Sequence, residues 1–279
     1  MNAPAPRQPR DSPEATRCSA PARGGAATTL IVAAVVLASL PTVALWVRER
    51  PLPLVLYVLV LLGVTGAAVR TRSAPTLRTV LVADLVLVLV LVSGVGIWPA
   101  PLGLAVLIAW LVWRRIPLLR SSPVWLRRGR MTRDLPWLVA ATVVVSALAL
   151  TTWALVADPA AGRYLESLQS RPVLLVLLGI TAFSLVNAAC EEAVYRGVFQ
   201  TELTAVMGTV PALAVQAIGF GLLHIQGFPS GAAGVVLAGI YGVFLGIIRM
   251  RSEGMLAPYV AHVCADVTIG ALSVVVLRP

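Results

Sequence analysis

Long apolar runs alternate with short polar breaks along almost the whole chain. The runs cover roughly 27–47, 52–69, 79–97, 99–113, 135–156, 172–200, 205–224, 231–250 and 255–277. Most approach the ~20 residues that cross the hydrocarbon core of a bilayer as helix. Within them the apolar residues are continuous rather than alternating, which argues against the strands of a β-barrel and for helices. The third and fourth runs are separated only by Trp98-Pro99-Ala100-Pro101. They form either two spans or one tight, short hairpin. The pattern predicts an all-α fold, a polytopic membrane helix bundle of about eight to nine transmembrane helices. Trp46, Trp98, Trp113, Trp137 and Trp153 fall near the ends of runs, where interfacial aromatic residues belong.

Composition agrees with a bilayer environment. Of 279 residues, 58% are hydrophobic and 12% charged, half the charged share usual in soluble domains. The net charge is +10, and all of its basic residues are arginine. A pI near 10.9 would point to nucleic acid in a soluble protein. Here the arginines cluster between apolar runs, so topology explains them and no nucleic-acid partner is expected. With nine spans and a cytoplasmic N-terminus, 17 arginines lie inside and five, Arg48, Arg50, Arg163, Arg171 and Arg278, lie outside. That split predicts a multi-pass protein of the cell membrane with a cytoplasmic N-terminus. Residues 1–25, rich in Pro, Ala, Arg and Ser, read as a disordered cytoplasmic tail rather than a signal peptide. The arginine-rich loop at 114–133 is expected to lie on the anionic leaflet.

A few ionisable residues interrupt the last four runs. Glu191, Glu192 and Arg196 stand on the sixth run, His224 ends the seventh, and His262 and Asp266 stand on the ninth. His224 and His262 are the only histidines in the chain. Hydrocarbon tolerates such groups poorly, so they are expected to be paired and functional. At 1.5 Å per residue, Glu192 lies about 16 Å, His224 about 24 Å and His262 about 10 Å from the cytoplasmic face. Three segments thus bring titratable groups to similar depths. Glu192 and Arg196 are four residues apart and share a helix face, as are His262 and Asp266. Glu191 points about 100° away from Glu192, so one carboxylate can neutralise Arg196 while the other meets the histidines.

A glutamate beside imidazoles in a dry site can take a proton from water and make it a nucleophile. A neutral histidine or a bound Zn²⁺ could hold the water or polarise a carbonyl. Peptide-bond hydrolysis is the reaction this set suits. Ser230, Thr268 and the cysteines offer no comparable nucleophile–base pairing. His262 and Asp266 suit either an imidazole–carboxylate pair or two ligands to one cation.

Glu191-Glu192-x-x-x-Arg196, Phe220-x-x-x-His224 and His262-x-x-x-Asp266, in this order, resemble the three motifs of the CPBP (Abi) family. That family comprises CAAX prenyl endopeptidases and bacteriocin-processing or immunity membrane proteins. The resemblance covers about 172–270. It implies an intramembrane metalloendopeptidase with a C-terminal four-helix catalytic core, acting on a peptide or membrane-protein substrate near the cytoplasmic half of the bilayer. By the same resemblance Glu191 activates water, His224 and His262 assist or bind a metal such as Zn²⁺, and Glu192 with Arg196 supports the site. The family usually has Asn where this chain has Asp266. An ionised Asp cannot donate a hydrogen bond to an oxyanion, so Asp266 is either protonated or orients or balances a cation.

The expected organisation is a tail at 1–25, N-terminal transmembrane helices at 26–156 and the catalytic core at 157–279. Two other functions fit the same residues: a catalytically silent immunity or scaffold protein, and a proton-coupled transporter. The second should show inverted repeats, and 27–156 contains no matching polar motif. Asp84 reads as a bundle or interface residue, and Pro41 and Pro211 as kinks or near-end residues. The glycines of the eighth run, including Gly242 and Gly246, read as a helix-packing face. Cys190 and Cys264 read as small hydrophobes.

Overall fold

The computed structural model describes residues 25–94, 97–121, 126–157 and 171–275. The expected tail at 1–25 falls almost wholly outside them. Among the described residues the protein is all-helical, with no strand. Its α-helices are α1 (Gly25–Ala38), α2 (Pro41–Arg48), α3 (Pro51–Thr71), α4 (Ala74–Ser93) and α5 (Ala100–Arg115). They continue with α6 (Leu135–Ala157), α7 (Val173–Met207), α8 (Thr209–Leu223), α9 (Gly231–Ser252) and α10 (Leu256–Val275).

Seven helical segments, α3, α4, α6, α7, α8 with the turn that follows it, α9 and α10, are long and apolar enough to span a membrane. Among the described residues seven single helices meet that length, against the eight to nine runs expected, and α1, α2 and α5 each fall short of it. The first run does not make one helix. It breaks before Pro41 into segments of 14 and 8 residues, because proline lacks the N–H that would continue the ladder. The fourth run makes only the 16 residues of α5, short of the ~20 that a span needs. The sixth run, by contrast, extends to Met207 as one 35-residue helical segment. It ends at Gly208, whose φ of +85° suits glycine and lets α8 double back.

Association of these helices cannot rest on the water-driven hydrophobic effect, since lipid is as apolar as leucine. Close packing and buried polar contacts carry it instead. The largest core joins the N-terminal helices to the last ones, with Ile31 and Val35 of α1, Leu87 of α4 and Leu102 of α5 meeting Phe199 and Phe220. A smaller core joins α6, α9 and α10 through Leu135, Leu245, Ile248, Ala257 and Ala261. Polar ties also cross the first interface. Arg78 of α4 grips Glu202 of α7 through Nε at 2.7 Å and Nη2 at 2.6 Å, and Tyr195 donates to Ser39 at 2.9 Å. Asp84 accepts from Thr65 at 2.6 Å, between α4 and α3.

Gly239, Gly242 and Gly246 of α9 face α8 within the chain, as a packing stripe should, whereas Gly231 has open space at its Cβ position. A Cβ on Gly246 would run into Leu213 and Gln216, and one on Gly242 would touch Ala217 and Phe220 at 3.3 Å. The bare backbone then serves as an acceptor row. Gly242 O receives Gln216 at 2.9 Å and Arg196 at 3.4 Å, and Gly246 O receives Gln200 at 3.0 Å.

Between α5 and α6, residues 127–130 form a strap docked on the α9–α10 turn. Met255 and Leu256 donate their N–H groups to Arg127 O and Arg128 O, and Arg130 N–H donates to Ser252 O. The two segments approach closely where Gly129 meets Gly254.

Candidate active site

All six residues singled out from the sequence come together where α7, α8 and α10 meet. The sixth apolar run is locally unwound at this point. Residues Ala193–Phe199 form π-helical turns inside α7, a feature that often marks functional sites. The widened turns carry Tyr195, Arg196 and Phe199 inward, and all three are buried.

Glu192 and Arg196 pair as their spacing predicts. Arg196 Nη1 lies 2.9 Å from Glu192 Oε1, and both side chains are shielded from solvent. Arg196 also lies over the Phe220 ring, with its Cζ 4.1 Å from the centroid, a favourable cation–π placement. Phe220 thereby organises three site residues, because its ring also packs at 4.6 Å from that of His224 and 5.6 Å from that of His262.

The division of labour between the two glutamates is finer than the sequence indicates. Glu192 both neutralises Arg196 and accepts a hydrogen bond from His262 Nδ1 at 2.9 Å. Glu191 sits on the other side of the same imidazole, with its Oε2 3.6 Å from His262 Nε2 and 3.9 Å from His224 Nε2. Glu191 Oε2 is buried without a hydrogen-bond partner, as are Glu192 Oε2 and Arg196 Nε in the same cluster. Buried polar atoms are rarely left so, and exceptions call for a functional reason.

Hydrogen-bond logic assigns the histidine tautomers. His224 Nδ1 lies 2.8 Å from Phe220 O, and a carbonyl only accepts, so Nδ1 carries the proton and Nε2 of the neutral ring offers a lone pair. His262 Nδ1 donates to the Glu192 carboxylate, which directs Nε2 to Glu191 and to Asp266 Oδ1, 3.7 Å away. These separations are too long for direct hydrogen bonds and of the length that one small bridging species spans.

Two cavities approach the cluster from different sides. One, of about 190 Å³, is mostly apolar and runs between α6, α9 and α10 past Leu138, Val145, Tyr241 and Phe244 to His224, His262 and Asp266. The other, of about 380 Å³, lies beneath the strap. Leu126, Arg127, Arg128, Ala189 and Tyr259 line it, and it reaches Glu192. The catalytic candidates thus form the partition between an apolar recess and an arginine-bordered one.

Sequence reading missed two polar neighbours. Asn187, one helical turn before Glu191, donates through Nδ2 to Asp266 Oδ2 at 3.1 Å. Trp98, from the loop before α5, donates its indole N–H to Asn187 Oδ1 at 3.1 Å. The i, i+4 spacing of Asn187 and Glu191 was visible in the sequence. Trp98 carried no such signal, since its place at the end of a run matched an interfacial residue. Among the described residues no group of three or more His, Cys, Asp or Glu side chains is arranged to hold a metal ion. Cys190 contacts the α5 backbone side near Gly103, and both Cys190 and Cys264 are free thiols.

No curated protein and no solved structure matches the chain. Residues 172–268 match the family described as Type II CAAX prenyl endopeptidase Rce1-like. The match covers about a third of the chain, contains all six candidate residues and leaves out α1–α6. The segment from α7 to α10 that builds the site is thus a domain of the Rce1-like type II CAAX prenyl endopeptidase (CPBP/Abi) family.

Proposed function

We propose that the protein is an intramembrane endopeptidase in which Glu191 activates water for attack on a peptide bond. The observation that carries this reading is the buried, unpartnered Glu191 Oε2 facing the Nε2 atoms of both histidines. Glu191 Oε2 and His224 Nε2 are both acceptors, so the two hydrogens of one water satisfy both. Such a water presents its oxygen lone pair to a carbonyl carbon. As the C–O bond forms, its proton passes to Glu191. His262, when doubly protonated, donates from Nε2 to the developing oxyanion. The C–N bond then breaks and Glu191 returns the proton to the leaving amine.

The remaining residues hold these groups in place. Glu192 fixes His262 through Nδ1 and is itself held by Arg196. Asp266 faces the same ring and offsets its charge. His224 as a neutral imidazole, and His262 once it has given up its Nε2 proton, are donor types that zinc accepts. A Zn²⁺ held by them would supply Lewis-acid polarisation of the carbonyl or of the water. The apolar recess suits a membrane-embedded portion of a peptide or membrane-protein substrate. The arginine split supports a cytoplasmic N-terminus and cytoplasmic access to the second recess.

Incubating the purified full chain in lipid vesicles with a library of membrane-tethered peptides, with Glu191→Ala as control, tests the reading. Cleavage by the wild type and none by the variant is expected. A folded wild-type protein that cleaves nothing would favour the catalytically silent scaffold, for which Asp266 in place of the family's usual Asn is the motivating departure.

A further inference from the structure

Resting on the endopeptidase reading, we propose that Trp98 and Asn187 form a positioning relay that sets Asp266, so the catalytic centre is completed by a residue outside the family-matched segment.

The level of Trp98 follows from how α4 and α7 lie against each other. Arg78 and Glu202 are paired at one end of α4 and α7. About 15 residues onward along α4 is Ser93, and about 15 residues back along α7 is Asn187, both roughly 22 Å from that pair at 1.5 Å per residue. The two helices run antiparallel, so the turn after Ser93 arrives at the level of Asn187. Gly103 against Cys190 confirms the alignment, since a Cβ there would lie 2.9 Å from the Cys190 sulfur. The helical segment of α7 begins at Val173, about 21 Å beyond Asn187 by the same rise. The turn therefore sits at the depth of the active site rather than at the end of α7.

At that depth Trp98 makes a specific polar contact. Its indole nitrogen only donates, and the ionised Asp266 carboxylate only accepts. Both neighbours therefore demand the same orientation of the Asn187 amide, oxygen toward Trp98 and nitrogen toward Asp266, as the 3.1 Å contacts show. An amide is otherwise free to turn over by 180°, which would set its oxygen against a carboxylate oxygen. Trp98 removes that alternative. With Oδ2 occupied by Asn187, Asp266 presents Oδ1 to His262 Nε2. Asn187 is 6% exposed, so water does not substitute readily for either partner.

Asp266 supplies the acceptor oxygen that the inward-turned Asn187 N–H meets at this position. Trp98 and Asn187 are positioning residues: Asn187 holds Asp266 and also reaches the Glu191 carboxylate, and neither acts on the substrate itself.

Hydrolysis kinetics of the full chain in vesicles test this with Trp98→Phe, Asn187→Ala and the double variant, alongside Glu191→Gln. Phenylalanine keeps an aromatic ring and loses only the donor. Each single change should lower kcat about 10–100-fold, the usual cost of disturbing such outer support, with KM within about twofold of wild type. The double variant should be no slower than Asn187→Ala, because Trp98 acts through Asn187. Wild-type kcat in Trp98→Phe, or effects that multiply in the double variant, would overturn the relay. If Glu191→Gln is inactive in the same series, that failure leaves the endopeptidase reading standing. If Glu191→Gln retains turnover, the endopeptidase reading itself falls.

A second readout does not depend on turnover. In protein labelled with ¹⁵N at the indoles, the Trp98 signal, assigned by its loss in Trp98→Phe, should shift and exchange faster with water in Asn187→Ala. An unmoved Trp98 signal would show that the contact is absent and would overturn the relay. A protein that cleaves no peptide would overturn the catalytic role even if the contact were present.

Discussion

Arg196→Ala probes the partition between the two recesses most severely. Arg196 is completely buried, and its partner Glu192 is 1% exposed. Truncation leaves the Glu192 carboxylate in a dry interior with only His262 as a partner. Breaking a buried ion pair from one side costs roughly 3–5 kcal/mol. Loss of the guanidinium from the Phe220 face adds to this, though the two effects are not independent. In a chain of this size each kcal/mol moves the unfolding midpoint by about 2–4 °C, so a fall of about 6–20 °C is expected in detergent. The companion variant is Glu192→Gln/Arg196→Met. It removes both charges, keeps an oxygen acceptor for His262 Nδ1 and leaves Gln216 on Gly242 O. Replacing both ions of a buried pair with neutral groups is often close to neutral, so the double variant should lose less than about 2 kcal/mol. Thermal unfolding followed by size-exclusion or circular dichroism measures all three proteins. A double variant as unstable as Arg196→Ala would refute the idea that an uncompensated Glu192 charge is the main cost.

Other consequences are simpler to test. Gly246→Leu should destabilise the protein by about 1–3 kcal/mol through overpacking, whereas Gly63→Leu, with nothing within 4 Å of its Cβ position, should change stability by less than about 0.5 kcal/mol; equal midpoints would show that α9 does not need its bare face. Arg78→Met leaves Glu202 alone at the α4–α7 interface and should lower the midpoint, with Arg78→Met/Glu202→Gln recovering part of it; no recovery would assign the loss to packing instead. Cysteines introduced singly at Trp125 and Pro279 should be labelled from the cytoplasmic and outer sides respectively, and outside labelling of residue 125 would reverse the orientation drawn from the arginines.

The spans of the last four helices were legible because long apolar runs have few alternatives in lipid. The six ionisable residues were legible for the matching reason, that charge at such depth is seldom accidental. The i, i+4 rule found the Glu192–Arg196 pair even though the backbone there is π-helical, since the pair bridges one widened turn. It did not reveal that His262 stands between both glutamates, because that arrangement depends on how α10 crosses α7. The interruption of the first run and the shortness of the fourth were not legible, for a length reason. Apolar composition does not distinguish a span from two short helices broken before Pro41, or from the 16 residues of α5. Trp98 was read as an interfacial residue and Asn187 was passed over because neither carries charge, and their significance lies in facing each other across 89 positions.

The central claim is that Glu191 takes the proton from the attacking water, and Glu191→Gln tests it most directly. Glutamine nearly matches the shape of glutamate but cannot accept that proton. Folding should be preserved, because Arg196 and His262 are held by Glu192 rather than Glu191. On a peptide that the wild type cleaves, turnover should fall by about 10²–10⁴-fold, the usual contribution of a general base, with an unfolding midpoint near that of the wild type. A folded Glu191→Gln protein that retains more than about a tenth of wild-type turnover would contradict the account.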